Sequence, residues 1–312
     1  MTELSVSVVP AFIGTALGSQ IYTERRTSRA TSSQETVLFI HGLGGTIDTF
    51  SPIYSSLLAS LPSTTLLSFD WPGHGKSPLP EPAPGTATPL TLADLIASVE
   101  TVISTSIPQG RITLVAHSAG TVIATMFLQE VSATVATRIS HVVLIGGPID
   151  LPSPAELVER QMAMAVRAKI SGPQVLVDAL LPALTGPTSV RTRPLATALV
   201  RTLMMAQTGE GYAAGLQALA TGCKEANVDW LALAKSYSHI MVIGGDEDQL
   251  VSPSALDDLA AKLGARHATI QTVGQCVVSC SPSCHANGIS CICAATRWLK
   301  LPETPRISLQ NS

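Results

Sequence analysis

The chain is poor in aromatic side chains, which make up 4% of its 312 residues. That scarcity argues against the stacking platforms that hold single-stranded nucleic acids or sugars. Charge is also sparse, at 13%, and the net charge is -3 with no long basic run. The electrostatic footprint of a nucleic-acid or anionic-membrane binder is therefore missing. No apolar run is long and unbroken enough to span a bilayer. The most apolar opening stretch, Val6 to Ile21, is interrupted by Pro10, Gly14 and Gly18, and only Glu3 carries charge ahead of it. Without a preceding Lys or Arg it reads as one or two strands rather than a signal peptide. The final residues, Leu-Gln-Asn-Ser312, form no retention or peroxisomal address. A soluble cytoplasmic protein is expected, with no nucleic-acid partner and no membrane insertion; the oligomeric state is left open. Cysteine is nearly absent before residue 276, and five of the six cysteines lie between Cys276 and Cys293. A disulfide framework does not suit a chain of this size without an export signal.

Hydrophobic residues make up 46% of the chain. They can fill a large core, either as one elaborated domain or as two small ones. The stretch around which the chain is organised is Ile112-Thr-Leu-Val-Ala-His-Ser118-Ala-Gly-Thr-Val-Ile123. An apolar run of strand length precedes Ser118, and helical periodicity follows at Val122, Ile123, Met126 and Phe127. Strand, sharp turn and helix are what a nucleophile elbow requires. Small residues at 116 and 120 let strand and helix approach while the hydroxyl stands clear. The usual Gly-x-Ser-x-Gly pattern has alanine here at its first position.

Taken in order, Glu35 to Gly42 is a buried strand running into Leu43-Gly-Gly45, a bare loop able to aim backbone N–H groups at an anion. Phe50 to Leu61 reads as a helix and Thr65 to Phe69 as a strand ending in Asp70-Trp-Pro-Gly-His-Gly-Lys-Ser77. A proline-rich loop from Pro78 to Pro89 follows. Thr91 opens a helix to about Thr105, with Asp94 placed for a capping box. Ile139 to Gly146 is another strand. From Asp150 to about Trp230 strand signals vanish, and Ala155–Lys169, Gln174–Leu184, Leu195–Gln207 and Gly211–Thr221 look helical. Met162, Met164, Met204 and Met205 are read as packing within this run. Strand rhythm resumes at His239 to Gly245, then a helix from Ser254 to Leu263, a strand from His267 to Val273, a cysteine-rich segment, and a short helix from Ala294 to Leu301. This alternation predicts an α/β fold, a mostly parallel sheet with helices on both faces. Residues 1–149 and 231–312 would form the core, and 150–230 a helical cap insertion.

Three features fall at strand C-terminal ends: His41-Gly-Leu-Gly-Gly45, the Ser118 turn, and Gly245-Asp-Glu-Asp248 followed by Val251-Ser-Pro253. With Asp70-Trp-Pro-Gly-His-Gly-Lys-Ser77, these spacings resemble the α/β-hydrolase fold superfamily over nearly the whole chain. The stretch from Gln207 to Leu219 is more particularly similar to the corresponding region of 3-oxoadipate enol-lactonase relatives. The resemblance implies a serine hydrolase acting on a small to medium apolar carboxylic ester or lactone, without cofactor or metal. Ser118 would be the nucleophile, the N–H groups of Leu43 and Ala119 the oxyanion hole, and Asp248 the acid. Asp246, in the same turn, and Asp150, after the preceding strand, are alternatives; Glu247 is read as a solvated turn carboxylate. His117 and Tyr212 would contact substrate. His41 and His74 would position loops, and His141 and His239 would be structural.

The family places its base in a Gly-His soon after the last strand, whereas this chain has Val273-Gly-Gln-Cys276. His285 is the expected base, with His267 the alternative. The intervening residues form extra sequence that could disable the triad. Cys276, Cys280, Cys284, His285, Cys291 and Cys293 include enough soft ligands for zinc. However, the spacing lacks paired C-x2-C knuckles, so free thiols are expected. Zinc on His285 would exclude its use as a base. Two further readings stay open: a thioester or C–C bond hydrolase using the same triad, and a non-catalytic binding protein.

Overall fold

Short β-branched and leucine-rich runs separated by helices fold into one eight-stranded sheet, in a computed structural model that describes residues 6–15, 18–28, 34–81, 90–147 and 151–270. In chain order the elements are β1 (Val6–Gly14), β2 (Gln20–Ser28), β3 (Glu35–Ile40), α1 (Ser51–Ser60), β4 (Thr64–Phe69), α2 (Leu92–Ser106), β5 (Arg111–His117), α3 (Ala119–Glu130), α4 (Ala133–Ala136) and β6 (Ile139–Ile145). Then come α5 (Ala155–Ser171), α6 (Gln174–Thr185), α7 (Pro187–Thr192), α8 (Pro194–Met205), α9 (Gly209–Glu225), α10 (Trp230–Ser236), β7 (Ile240–Gly245), α11 (Pro253–Leu263) and β8 (Arg266–Ile270). A single tight helical turn, Ile47–Phe50, leads into α1. No described helix is long and apolar enough to cross a membrane.

The sheet order is β1-β2-β4-β3-β5-β6-β7-β8. The hairpin β1–β2 joins β4 antiparallel, and β4, β3, β5, β6, β7 and β8 are mutually parallel. The chain crosses from β3 to β4 on one side and then returns over β3 to β5 on the other. This puts a topological switch between the carboxyl ends of β3 and β5, where open parallel sheets bind their ligands. The reversal also sends α1 and α2 to opposite faces. Val37, Phe39, Val115, Val143 and Ile145 pack under Ile53, Tyr54 and Leu57 of α1. Leu38, Ile40, Leu114, Ala116 and Leu144 pack under α2, α3 and α11 through Val99, Phe127 and Leu256. Burial on both faces explains why these strands read as continuous apolar runs rather than alternating ones.

Local signals match the elements closely. At the start of α2 the Thr91 hydroxyl accepts the Asp94 N–H at 3.2 Å, and the Asp94 carboxylate accepts the Thr91 N–H at 2.8 Å. The sequence signals omit α4, α7 and α10. These have four, six and seven residues, too few to display a helical period.

The helical run between β6 and β7 is not uniform. Helices α5 to α8 lie outside the main core cluster, whereas α9 contributes Ala214, Ala218, Leu219 and Cys223 to it. Its small residues permit that approach. A Cβ at Gly211 would lie 1.9 Å from the Gly73 carbonyl oxygen, one at Gly215 2.8 Å from the His74 ring, and one at Gly222 2.4 Å from Leu92. The Gly-Tyr-Ala-Ala-Gly pattern is thus a packing surface for the β4–α2 connection. Gly211→Ala is expected to lower stability by about 1–3 kcal/mol through overpacking against main chain. The urea midpoint should fall, and an unchanged midpoint would show that α9 does not rest on this loop.

Candidate active site

Ser118 sits between the last residue of β5 and the first of α3 with φ 52° and ψ -127°. Among the described residues it is the one non-glycine with positive φ. Such a conformation costs on the order of 1–3 kcal/mol and persists only where the surroundings fix it. Here the Ser118 N–H donates to the Ile145 carbonyl at 2.8 Å, and the Ser118 carbonyl accepts the Thr121 N–H at 2.8 Å and the Thr121 hydroxyl. Clearance comes from glycine: a Cβ at Gly42 would lie 2.8 Å from Ser118 Cβ, and one at Gly120 2.4 Å from the His41 carbonyl oxygen. Ala116, where the familiar pattern has glycine, is fully buried without disturbing the turn.

The loop after β3 passes directly beside Ser118. Gly44 holds φ 73°, and the Gly45 N–H donates to the Gly42 carbonyl at 3.0 Å, which closes the turn. Leu43 lies inside this loop, and Ala119 opens α3. Several buried groups fix the loop from behind. His41 Nε2 accepts the Trp71 N–H at 3.0 Å, so the ring proton is on Nδ1, which donates to the Gly42 carbonyl at 2.8 Å. The ring stacks on Trp71 with centroids 4.7 Å apart. Burial, then the neighbouring His74, hold His41 well below the ordinary histidine range. Asp70 accepts the Ile47 N–H at 2.8 Å and the Lys76 N–H at 2.9 Å, tying the exit of the 42–45 loop to the turn after β4. Burial raises its carboxyl to about 6, although both hydrogen bonds oppose the shift.

Sequence reasoning missed Gln207. It is buried between α8 and α9, where Nε2 donates to the carbonyls of Leu203 at 3.0 Å and of Gly44 and Gly45 at 3.4 Å. Its Oε1 accepts the Gly75 N–H at 3.3 Å. One amide thus joins the Gly44–Gly45 loop, the Gly75 turn and α8. Its position at the end of a helical period is the only sequence signal it leaves.

A cavity of about 380 Å³ opens over Ser118, His117 and the 42–45 loop, roofed by α8 and by Leu184 of α6. His117 is buried, with its ring edge-on to Phe50 at 6.4 Å. Tyr212 is buried too. Its ring packs against Gly44 beside Met204, 3.1 Å from where a Cβ would stand, and it is not among the described residues that line the cavity.

Asp248 follows β7 and is buried. Its Oδ1 accepts the Leu250 N–H at 2.8 Å and the Val251 N–H at 2.9 Å; its Oδ2 has no hydrogen-bond partner among the described residues. Burial raises its pKa against those two bonds. Asp246 is half-buried in the same turn. Glu247 is not a solvated carboxylate: it accepts the Thr188 N–H at 2.8 Å and the Thr188 hydroxyl at 2.5 Å, which fastens α7 to the turn. His267 pairs with Asp257 at 2.5 Å on β8, three strands from Ser118 and so roughly 14 Å away across the sheet. An imidazole there does not reach the hydroxyl. Asp150, His285 and the cysteines from Cys276 to Cys293 lie outside the described residues. Cys223 is a buried free thiol, pushed up to about 11 by burial. Among the described residues no cluster of three or more metal-ligating side chains occurs.

A family model described as alpha/beta hydrolase fold matches residues 35–278. Curated proteins give no match in sequence. A thermophilic esterase from Thermogutta terrifontis is 19% identical, with TM-score 0.70, over 86% of this chain and 92% of its own. The enol-lactonase from Burkholderia xenovorans LB400 is 20% identical, with TM-score 0.69, over 93% and 98%. A bottromycin epimerase is 19% identical, with TM-score 0.61, over 86% and 92%. At these identities the likeness is one of fold, and the fold carries more than one reaction.

Two outcomes are expected from the site. Glycine tolerates positive φ without the strain that serine bears, so Ser118→Gly should raise the thermal midpoint while removing the hydroxyl. A lowered midpoint would mean that the turn is unstrained. Secondly, burial lowers His74 to about 4, only partly offset by the nearby Pro72 carbonyl. Its neutral ring contributes stability that is full above about 6.5 and lost as pH falls through 4, about 3 kcal/mol in all. Asp70, raised to about 6, opposes this: its contribution is present below about 4 and lost as pH rises through 6. His41 and His141 shift in the same direction as His74, so histidine dominates. The urea midpoint should drop between pH 7 and pH 4.5; a flat profile would contradict neutral buried rings.

Proposed function

The chain belongs to the α/β-hydrolase fold family, and from that premise we propose that it is a soluble, cytoplasmic serine hydrolase that cleaves a small to medium, uncharged ester or lactone. The observation that carries this reading is Ser118 itself: a hydroxyl on a strained strand-to-helix turn, cleared by Gly42 and Gly120, facing an apolar cavity. Strain of this kind is retained where a side chain must be presented in one direction.

In the proposed cycle Ser118 Oγ attacks the carbonyl carbon, and His285 takes its proton. The Leu43 and Ala119 N–H groups hold the developing oxyanion, helped by the positive end of α3. The intermediate collapses, the carbon–oxygen bond to the leaving group breaks, and His285 returns the proton to the departing alkoxide. In a lactone that alcohol stays tethered to the acyl group. Water, deprotonated by His285, then attacks the acyl-enzyme; the bond to Ser118 Oγ breaks, His285 returns the proton to that oxygen, and the carboxylic acid leaves. Asp248 orients the histidine. The buried Oδ2 without a described partner is where an imidazole N–H would donate, and β7 stands two strands from β5, roughly 10 Å. A ring hydrogen-bonded on both sides bridges that gap. Helices α5 to α8 act as a cap, and His117 borders the acyl group. No cofactor takes part.

The test is covalent labelling by a short-chain fluorophosphonate, together with p-nitrophenyl butyrate hydrolysis. Wild type should be labelled at Ser118. Ser118→Ala and His285→Ala should each lose about 10⁴-fold or more in kcat. Labelling without dependence on His285 would place the base elsewhere, and an unlabelled wild type would favour a non-catalytic binding protein.

A further inference from the structure

Helix α8 lies along the cavity from end to end. Leu195, Leu199 and Leu203 form one row at four-residue spacing, and Ala196, Val200 and Met204 form a second beside it. Residues four apart share a helix face, so the two rows border one continuous apolar groove. Its inner end is fixed at the loop beside Ser118, where Met204 Cγ stands 3.3 Å from the position a Gly44 Cβ would take. Its outer end is open: Leu195 lines the cavity and is also 86% exposed. Between these ends the helix rises about 13 Å.

The lining chemistry is as one-sided as the shape. Among the described lining residues Thr49, His117 and Ser118 carry the only polar side chains, and there is no Lys, Arg, Asp or Glu. A carboxylate brought along this groove would lose its hydration with no partner in return. Among the described residues no aromatic side chain other than the His117 ring lines the groove, so they give no flat platform for a ring system. The groove suits a linear hydrocarbon. An extended chain spans three bonds in about 3.5 Å, so 13 Å corresponds to about ten carbons.

We propose that the α8 groove holds one linear, uncharged alkyl or acyl chain of the substrate, about ten carbons long, so that the preferred substrates are medium-chain esters. This rests on the hydrolase reading above. It differs from what the enol-lactonase resemblance alone suggests, since the oxoadipate skeleton carries a carboxylate and the groove offers that group nothing.

The experiment uses the full chain and two ester series: p-nitrophenyl esters from acetate to palmitate, and acetates of alcohols from ethanol to hexadecanol. Short-chain fluorophosphonate labelling is run in parallel. In one series kcat/KM should climb by up to about fourfold per added methylene, and level off near ten carbons. Leu199→Trp, which blocks the groove midway, should move the optimum to about half that length. Ala196→Phe, nearer the mouth, should move it less and guards against a misfolded first variant. Ser118 labelled while rates fall steadily from the shortest ester in both series would overturn the groove assignment alone. So would an optimum that neither variant moves. Absence of labelling in the wild type would overturn the hydrolase reading and this inference with it.

Discussion

Main chain meets main chain where β3 runs out beside the Ser118 turn. A Cβ at Gly120 would lie 2.4 Å from the His41 carbonyl, and one at Gly42 2.8 Å from Ser118 Cβ. Nothing larger than hydrogen fits at either position, and the rest of the site follows from that closeness. It brings the helix N-terminus of α3 and the bare 42–45 loop to the same hydroxyl. It also imposes the backbone strain at 118, which the β6 carbonyl of Ile145 and the side chain of Thr121 hold in place. Sheet order supplies the setting: because β4 lies beyond β3 and β5 returns on the other side, the two carboxyl ends open onto a crevice rather than onto a covering helix.

A loop of glycines has little stiffness of its own, and the protein provides it from outside. Asp70, His41 and Gln207 each bond main-chain groups in or just beyond the loop. Asp70 and His41 do so from sites where burial disfavours their charged forms. Helix α9 presses its glycine face on the next loop, around Gly73 and His74, so the small residues of the 211–222 stretch serve the 42–45 loop at second hand.

How much of this was legible in the sequence depends on the range of each interaction. The strands, the Thr91 capping box and the Ser118 turn could be read because their determinants lie within a few residues of one another. Gln207 and Glu247 could not. Gln207 bonds a carbonyl 163 residues away and Glu247 a helix 59 residues away, and no local pattern points to either partner. Glu247 was expected to face solvent because turn carboxylates usually do, and only the position of α7 shows otherwise. The contact of the buried Tyr212 ring with Gly44 is likewise long-range, and the familiar stretch around it does not reveal that contact. The proposed base is the least legible part, because His285 follows a segment where the chain departs from its family's spacing.

The two hydrogen bonds from Thr188 to Glu247 connect parts of the molecule with different duties. Glu247 is the neighbour of Asp248, and Thr188 lies in the second residue of α7, which packs on α8. Hydrogen bonds to a carboxylate contribute about 1.5–3 kcal/mol each. Lifting this side of the roof therefore requires breaking them at the turn that carries Asp248. The fastening of the roof and the seat of Asp248 are therefore adjacent residues of one turn.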